Sequence, residues 1–314
     1  MPHKAWRWTL ETISPRNCQG PSPGGFYGNS RDSSRARCYW PFCSLRPADV
    51  THFVFWTKNP EPFFPVLRQV LEIGYPVLWN VTVTGLGGTP VEQQVPTLDR
   101  VVASIRELAK MVPPEAITWR YDPVFVSQLY GEDHHVETFT RLAGELAGQM
   151  DRISISFLGA CYPRRVQPDL RRYEGETGDR VGVVPPDQQV ELTTRLHSVA
   201  AAAGLELTLC CSPELQQATG YASTGCNSFG WATRVYPMLQ KARALRNRPT
   251  RTGCLCSQES DIGCYDTCIH GCRYCYGSVS RDAALPNYRK HDPRDPCIIP
   301  CGGAAASGLS LAIV

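Results

Sequence analysis

The sequence predicts an α/β fold, a partial or rearranged (β/α) barrel carrying a C-terminal cysteine-rich extension. Three observations predict it. Short segments rich in β-branched and aromatic residues alternate with amphipathic helical stretches, as βα units require. The later strands are apolar on one face and polar on the other. Finally, eleven of the 15 cysteines lie between Cys210 and Cys301, so the chemistry-bearing residues are gathered at one end.

The strands are read at Thr51 to Thr57, Pro76 to Thr84, Ala116 to Asp122, Arg152 to Leu158 and Leu205 to Cys210. Between them, Pro60 to Ile73, Val91 to Met111, Val136 to Met150 and Pro186 to Ala203 carry apolar residues at three- and four-residue spacing, the mark of helices with one buried face. Gly74 and Gly204 supply stop signals. Along the second strand Val77, Trp79, Val81 and Val83 oppose Asn80, Thr82 and Thr84; the third sets Ile117, Trp119 and Tyr121 against Thr118, Arg120 and Asp122. The fourth sets Ile153, Ile155 and Phe157 against Ser154 and Ser156, and the fifth Leu205, Leu207 and Leu209 against Glu206, Thr208 and Cys210. An antiparallel sheet with a wetted face alternates in this way, but helical crossovers favour a barrel whose polar inner face lines a ligand cavity. The C-terminal strand ends form the working rim of such folds, here at Thr84, Asp122, Leu158 and Cys210. Residues 1–43 resist the scheme, 44–212 form the barrel core, 213–300 the cysteine-rich region and 301–314 a tail of small residues.

Charge narrows the partners. The chain has 314 residues, with 32 basic against 29 acidic, net +3, too near neutrality for bulk attraction to nucleic acid or membrane. No run approaches the ~18 apolar residues of a membrane helix, and the first ten residues lack the apolar core of a secretory signal. The expected address is the cytoplasm. Disulfides are rare there, so the cysteines ask for metal, cluster or catalytic roles.

Cys268, Cys272 and Cys275 form C-x3-C-x2-C. A compact loop with this spacing wraps a cuboidal iron–sulfur cluster, a [4Fe-4S] group, and ligates three of its irons by thiolate. The fourth iron then remains open to a small molecule bearing an amine and a carboxylate, the binding requirement of S-adenosylmethionine. The segment resembles the cluster loop of radical SAM enzymes, and this resemblance implies that Tyr274 lies beside the adenine. A structural zinc or a closed four-cysteine cluster is the plainer alternative, and Cys264 would be the closing ligand or a buried thiol. Cys210, Cys226, Cys254 and Cys256 form a second group, sufficient for an auxiliary [4Fe-4S] cluster or a zinc ion. Strand alternation points Cys210 inward and Cys211 away. Cys18, Cys38, Cys43, Cys161, Cys297 and Cys301 are read as unligated.

The linked segments Phe53-Val-Phe-Trp-Thr-Lys-Asn-Pro60, Trp119-Arg-Tyr-Asp-Pro123, Leu209-Cys210 with Cys226, Gly253-Cys-Leu-Cys256, Asp261-Ile-Gly263, the triple-cysteine loop and His291-Asp-Pro293 resemble the domain-of-unknown-function family 1848 over about residues 44–296. The cysteine loop is also similar to that of spore-photoproduct-lyase-type proteins. The resemblance implies radical SAM chemistry. In most radical SAM proteins the cluster loop follows the first barrel strand, whereas here it follows the last, so the barrel is either cyclically rearranged or supplied with its cluster by a C-terminal extension folding back over the mouth.

Among the other residues, Arg120 and Asp122 are candidates for substrate contact or for a mutual ion pair. Asn80, Thr82, Ser156 and Glu206 are candidate cofactor contacts, Glu206 either on ribose hydroxyls or paired with Arg120. Lys58 is expected at the surface, His134 and His135 as exposed capping residues, and His270 as a local donor. The acid-free run Lys241 to Arg251 suits a solvated helix end or, alternatively, a nucleic-acid contact. The expected function is thus a radical SAM enzyme acting on a small-molecule substrate, reduced by a flavodoxin or ferredoxin. The alternative is a non-catalytic zinc or iron–sulfur protein that binds nucleic acid.

Overall fold

The computed structural model describes residues 46–159, 163–241, 253–257, 263–292 and 298–299. The expected N-terminal segment and tail, six cysteines (18, 38, 43, 161, 297 and 301) and all of the basic run except Lys241 lie outside them.

Five strands, β1 (Phe53–Thr57), β2 (Val77–Thr82), β3 (Ile117–Val124), β4 (Arg152–Phe157) and β5 (Glu206–Leu209), form one sheet in the order β1-β2-β3-β4-β5. Every neighbouring pair is parallel. The connections carry α1 (Phe64–Glu72), α2 (Leu98–Leu108), α3 (Glu132–Leu146) and, between β4 and β5, both α4 (Pro163–Thr177) and α5 (Pro186–Ala202). Beyond the sheet come α6 (Pro213–Thr219), α7 (Phe229–Val235) and α8 (Arg281–Lys290). The strand order runs serially, without the reversal that marks a doubly wound sheet. The described residues give a five-stranded parallel sheet with helical crossovers. None of its helices is long and apolar enough to cross a membrane.

The apolar face behaves as its alternation requires. Trp79, Trp119, Tyr121, Ile153 and Ile155 are sealed beneath α2, α3 and α5 with Ile105, Phe139 and Leu196, and the Trp119 and Phe139 rings stack at 4.7 Å. Burying side chains of this size contributes about 1.5–3 kcal/mol each. His135 belongs to this core, not to an exposed cap. It is 1% exposed, because α3 begins at Glu132 rather than at Val136 and carries His135 inward. Its Nε2–H donates to the Phe125 carbonyl, which leaves Nδ1 to accept from the Tyr121 hydroxyl at 2.7 Å. Burial holds the imidazole at a pKa of about 4.

Two helices differ from expectation. α2 begins at Leu98, since Pro96 and an extended Thr97 (φ −56°, ψ 152°) keep residues 91–97 as loop. α4 was not expected: Pro168 and a dense charge pattern obscure it, yet Val166, Leu170 and Tyr173 are buried along one stripe.

The polar face is sealed in its lower half. Asn80, Thr118, Ser154 and Thr208 are fully buried, so they line no open cavity. The segment that carries Cys226 lies over them, with Asn80 Nδ2 donating to the Cys226 carbonyl at 3.0 Å. Only the half towards the C-terminal strand ends, with Thr82, Arg120, Asp122 and Ser156, keeps partial exposure.

Candidate metal centre

The triple-cysteine loop lies on the rim formed by the C-terminal ends of β1, β2 and β3. A single antiparallel bridge joins Glu92 to Cys272, the Arg273 amide donates to Val91 and the Gln94 amide to His270. Gly271 turns the chain at φ +69° between the first two cysteines, a conformation that costs glycine nothing and other residues dearly. Beneath the loop Leu86, Val91, Phe125, Leu170, Tyr173 and Tyr274 make a separate apolar cluster around Cys272. The unexpected α4 therefore supports one wall of the loop, and Arg273 pairs with Asp169 and Glu176 on it.

Glu92 is the centre of this attachment. Its carboxylate is 1% exposed and one oxygen accepts from Lys58 at 2.9 Å, from Thr84 and from the Tyr274 hydroxyl. Lys58 is thus a nearly buried ion-pair partner, 11% exposed at its side chain, not a surface lysine. The pull of Glu92 explains it: a cation surrenders solvent only where charge and hydrogen bonds replace water. Sequence reasoning missed Glu92, because a lone acid in a loop carries no periodic signal. Tyr274 has its hydroxyl committed to Glu92 and its ring against Phe125, with Lys58 Nζ 5.5 Å from the ring centre. Cys272 is buried, Cys275 half-buried and Cys268 exposed. Burial raises the Cys272 thiol well above its ordinary pKa, while the nearby Lys58 opposes that shift. His270 contributes its carbonyl to the loop.

The second group assembles from three segments. Cys226 and Cys256 stand 3.4 Å apart, sulfur to sulfur, and Cys254 Sγ accepts from the Cys256 amide at 3.5 Å. Gly225 permits this approach, for a Cβ there would collide with the Leu255 carbonyl. Cys210 directly follows β5, its amide donating to the Ile155 carbonyl, and its sulfur lies 3.9 Å from that of Cys211. Cys211 therefore does not point away. Its φ of +52° breaks the alternation at the strand end, so consecutive side chains turn to the same side.

Charges converge here. Arg120 and Asp122 form an ion pair, and Asp122 also accepts from Ser156. Burial alone would lower the pKa of Arg120, but the Cys226 and Cys210 sulfurs hold it above its usual value. Hydrogen bonds from Cys210 and Cys256 hold the Cys226 thiol well below the ordinary range, with Arg120 adding to the effect. The Cys210 thiol is pushed upward by its hydrogen bond with Cys211 and then by that with Cys226, and the Cys256 thiol chiefly by its hydrogen bond with Cys226.

Two of the expected cofactor contacts sit elsewhere. Glu206 begins β5 at the opposite end of the sheet from the rim, is exposed and pairs with Arg234 at 3.2 Å, not with Arg120. Asn80 is sealed beneath the Cys226 segment. Thr82 stands beside Arg120 in register.

Both donor sets are made of cysteines and suit metals or clusters that thiolates bind. Among the described residues no three His, Cys, Asp or Glu side chains converge closely enough to hold a single metal ion. A tetrahedral ion with bonds of ~2.3 Å needs sulfurs within about 4 Å of one another. Cys226 and Cys256, 3.4 Å apart, meet that spacing as a pair.

No curated protein matches the chain. A family model does, the domain of unknown function DUF1848, over residues 33–277. That span begins and ends earlier than the motifs alone suggested, yet it takes in β1 to β5, the Glu92 attachment and both cysteine groups. The chain belongs to the DUF1848 family.

Proposed function

We propose that this protein is a radical SAM enzyme, with Cys268, Cys272 and Cys275 holding a [4Fe-4S] cluster and Cys210, Cys226, Cys254 and Cys256 holding an auxiliary one. The observation that carries the reading is the seat of the C-x3-C-x2-C loop on the C-terminal rim of a serially ordered parallel sheet, where α/β barrels carry their reactive groups. Held there and reduced by an external donor, a [4Fe-4S] group would supply the one-electron chemistry by which S-adenosylmethionine is reductively cleaved and hydrogen is abstracted from a substrate.

The chain's own residues bind and insulate. Lys58, Glu92, Thr84 and Tyr274 pin the loop to the ends of β1 and β2. Phe125, Leu170 and Tyr173 exclude water behind Cys272. Asp122, held by Arg120 and Ser156, with Thr82 on the neighbouring strand, forms the partly exposed polar surface against which a small substrate would lie. An electron donor of the flavodoxin or ferredoxin class and a cytoplasmic setting complete the reading.

Anaerobic reconstitution with iron and sulfide tests it. The expected result is about eight irons per chain, two clusters of four, and 5′-deoxyadenosine formed only with dithionite and S-adenosylmethionine. Tight zinc binding with no cleavage, or fully ligated iron indifferent to S-adenosylmethionine, would overturn it. Retention on nucleic acid in that case would favour the non-catalytic alternative.

A further inference from the structure

Arg152 is the first residue of β4 and faces the sealed polar side of the sheet. It is 3% exposed, and among the described residues it has no carboxylate within ion-pair distance. Glu206, its register partner on β5, and the preceding Asp151 are both directed to Arg234. The Arg152 guanidinium instead donates to the Thr224 hydroxyl at 2.8 Å and the Gly225 carbonyl at 2.9 Å, and it lies 4.8 Å from the Trp231 ring. Its Nε–H has no partner. Both accepting residues immediately precede Cys226.

A buried cation whose hydrogen bonds go only to neutral oxygens is costly, several kcal/mol even after relaxation. The Asp151 and Glu206 carboxylates, committed to Arg234, offset it only from a distance, and it persists where a further anion balances it. Four thiolates supply that anion: bound to a zinc ion or to an oxidised [4Fe-4S] core, each of charge +2, they leave a net charge of −2. Arg120 shares in the balance through Cys226 and Cys210 but divides its charge with Asp122.

We propose that Arg152 is a second counter-charge, beside Arg120, of the centre held by Cys210, Cys226, Cys254 and Cys256, and the residue that positions Cys226 within it. The proposal rests on the reading of these four cysteines as a thiolate centre. A nearby guanidinium stabilises an added electron, so Arg152 raises the centre's reduction potential, and its charge makes metal loading more favourable.

The test uses the full chain, reconstituted anaerobically, as wild type, Arg152→Met and Arg152→Lys. In a redox titration followed by electron paramagnetic resonance, Arg152→Met shifts the auxiliary midpoint downward by about tenfold in the reduction equilibrium, ~59 mV for one electron. Arg152→Lys recovers most of that shift, and the signal from the Cys268 loop stays in place. Thermal melts of metal-loaded and chelator-stripped protein supply a second readout. Arg152→Met shrinks the gain on loading, whereas a residue of merely structural importance lowers both melts equally. Should Arg152→Met fail to fold, Arg152→Gln reads the same quantities. An unchanged midpoint together with an unchanged loading gain overturns the proposal. Equal iron content in wild type and the Cys226→Ala, Cys254→Ala double variant overturns the thiolate centre beneath it, a result distinguishable from the first.

Discussion

The two cysteine groups are built in opposite ways. Cys268, Cys272 and Cys275 occupy eight consecutive residues, and the fold's task is to seat a ready-made loop, which it does with one buried carboxylate and an apolar wall. Cys210, Cys226, Cys254 and Cys256 come from a strand end and two later segments, and the fold must make the group by bringing backbones into contact. A local site is legible as spacing, whereas a distributed site depends on every element that positions it. The two should therefore respond differently to mutation.

The largest expected effect is at the local loop. Cys272→Ala should abolish S-adenosylmethionine cleavage and remove about four of eight irons, leaving the auxiliary group loaded. Loss of all iron would mean that the two groups form a single unit. Next is the converse: Gly225→Ala forces a Cβ against the Leu255 carbonyl and should empty the auxiliary group while sparing the loop's iron. Retention of about eight irons in this variant would show that the backbone contact is dispensable.

Glu92→Ala sharpens the comparison from the side of the attachment. It strands the Lys58 cation and frees the Tyr274 hydroxyl, and breaking a buried pair costs about 3–5 kcal/mol. Denaturant melts should record that loss, with increased proteolysis confined to residues near the loop. A melt within 1 kcal/mol of wild type would show that the loop is seated by its apolar contacts alone.

The smallest effect lies in the sheet shared by both groups. His135 titrates near pH 4 in the fold and near 6.5 when unfolded, so the unfolded chain takes up the proton first. The stability that His135 contributes is fully present above about pH 6.5 and is lost as pH falls towards 4, by about 3 kcal/mol in total. Melting wild type and His135→Gln between pH 7 and 4.5 should give a steeper decline for wild type. Parallel curves would remove His135 as the cause.

Much of the architecture was legible because it repeats. Alternation along β2 to β5 announced one apolar and one polar face, and Trp79, Trp119 and Ile153 occupy the core as the period of two requires. α4 escaped because Pro168 and its charges mask Val166, Leu170 and Tyr173. Glu92, Lys58 and Arg152 escaped for a different reason. Their roles depend on charges brought together from distant parts of the chain, and an isolated ionisable residue looks the same in sequence whether solvated or buried.

By itself the sequence determined the alternation of strands and helices, the two-faced sheet and the three-cysteine loop, because each is a short-range pattern imposed by backbone geometry. Tertiary structure alone decided that the lower polar face is sealed, that Cys211 turns beside Cys210, that Glu206 pairs with Arg234 and that Arg152 is buried without a carboxylate partner. Those outcomes follow from which segment covers which surface. That choice depends on packing and desolvation summed over contacts far apart in the chain, which no local pattern records.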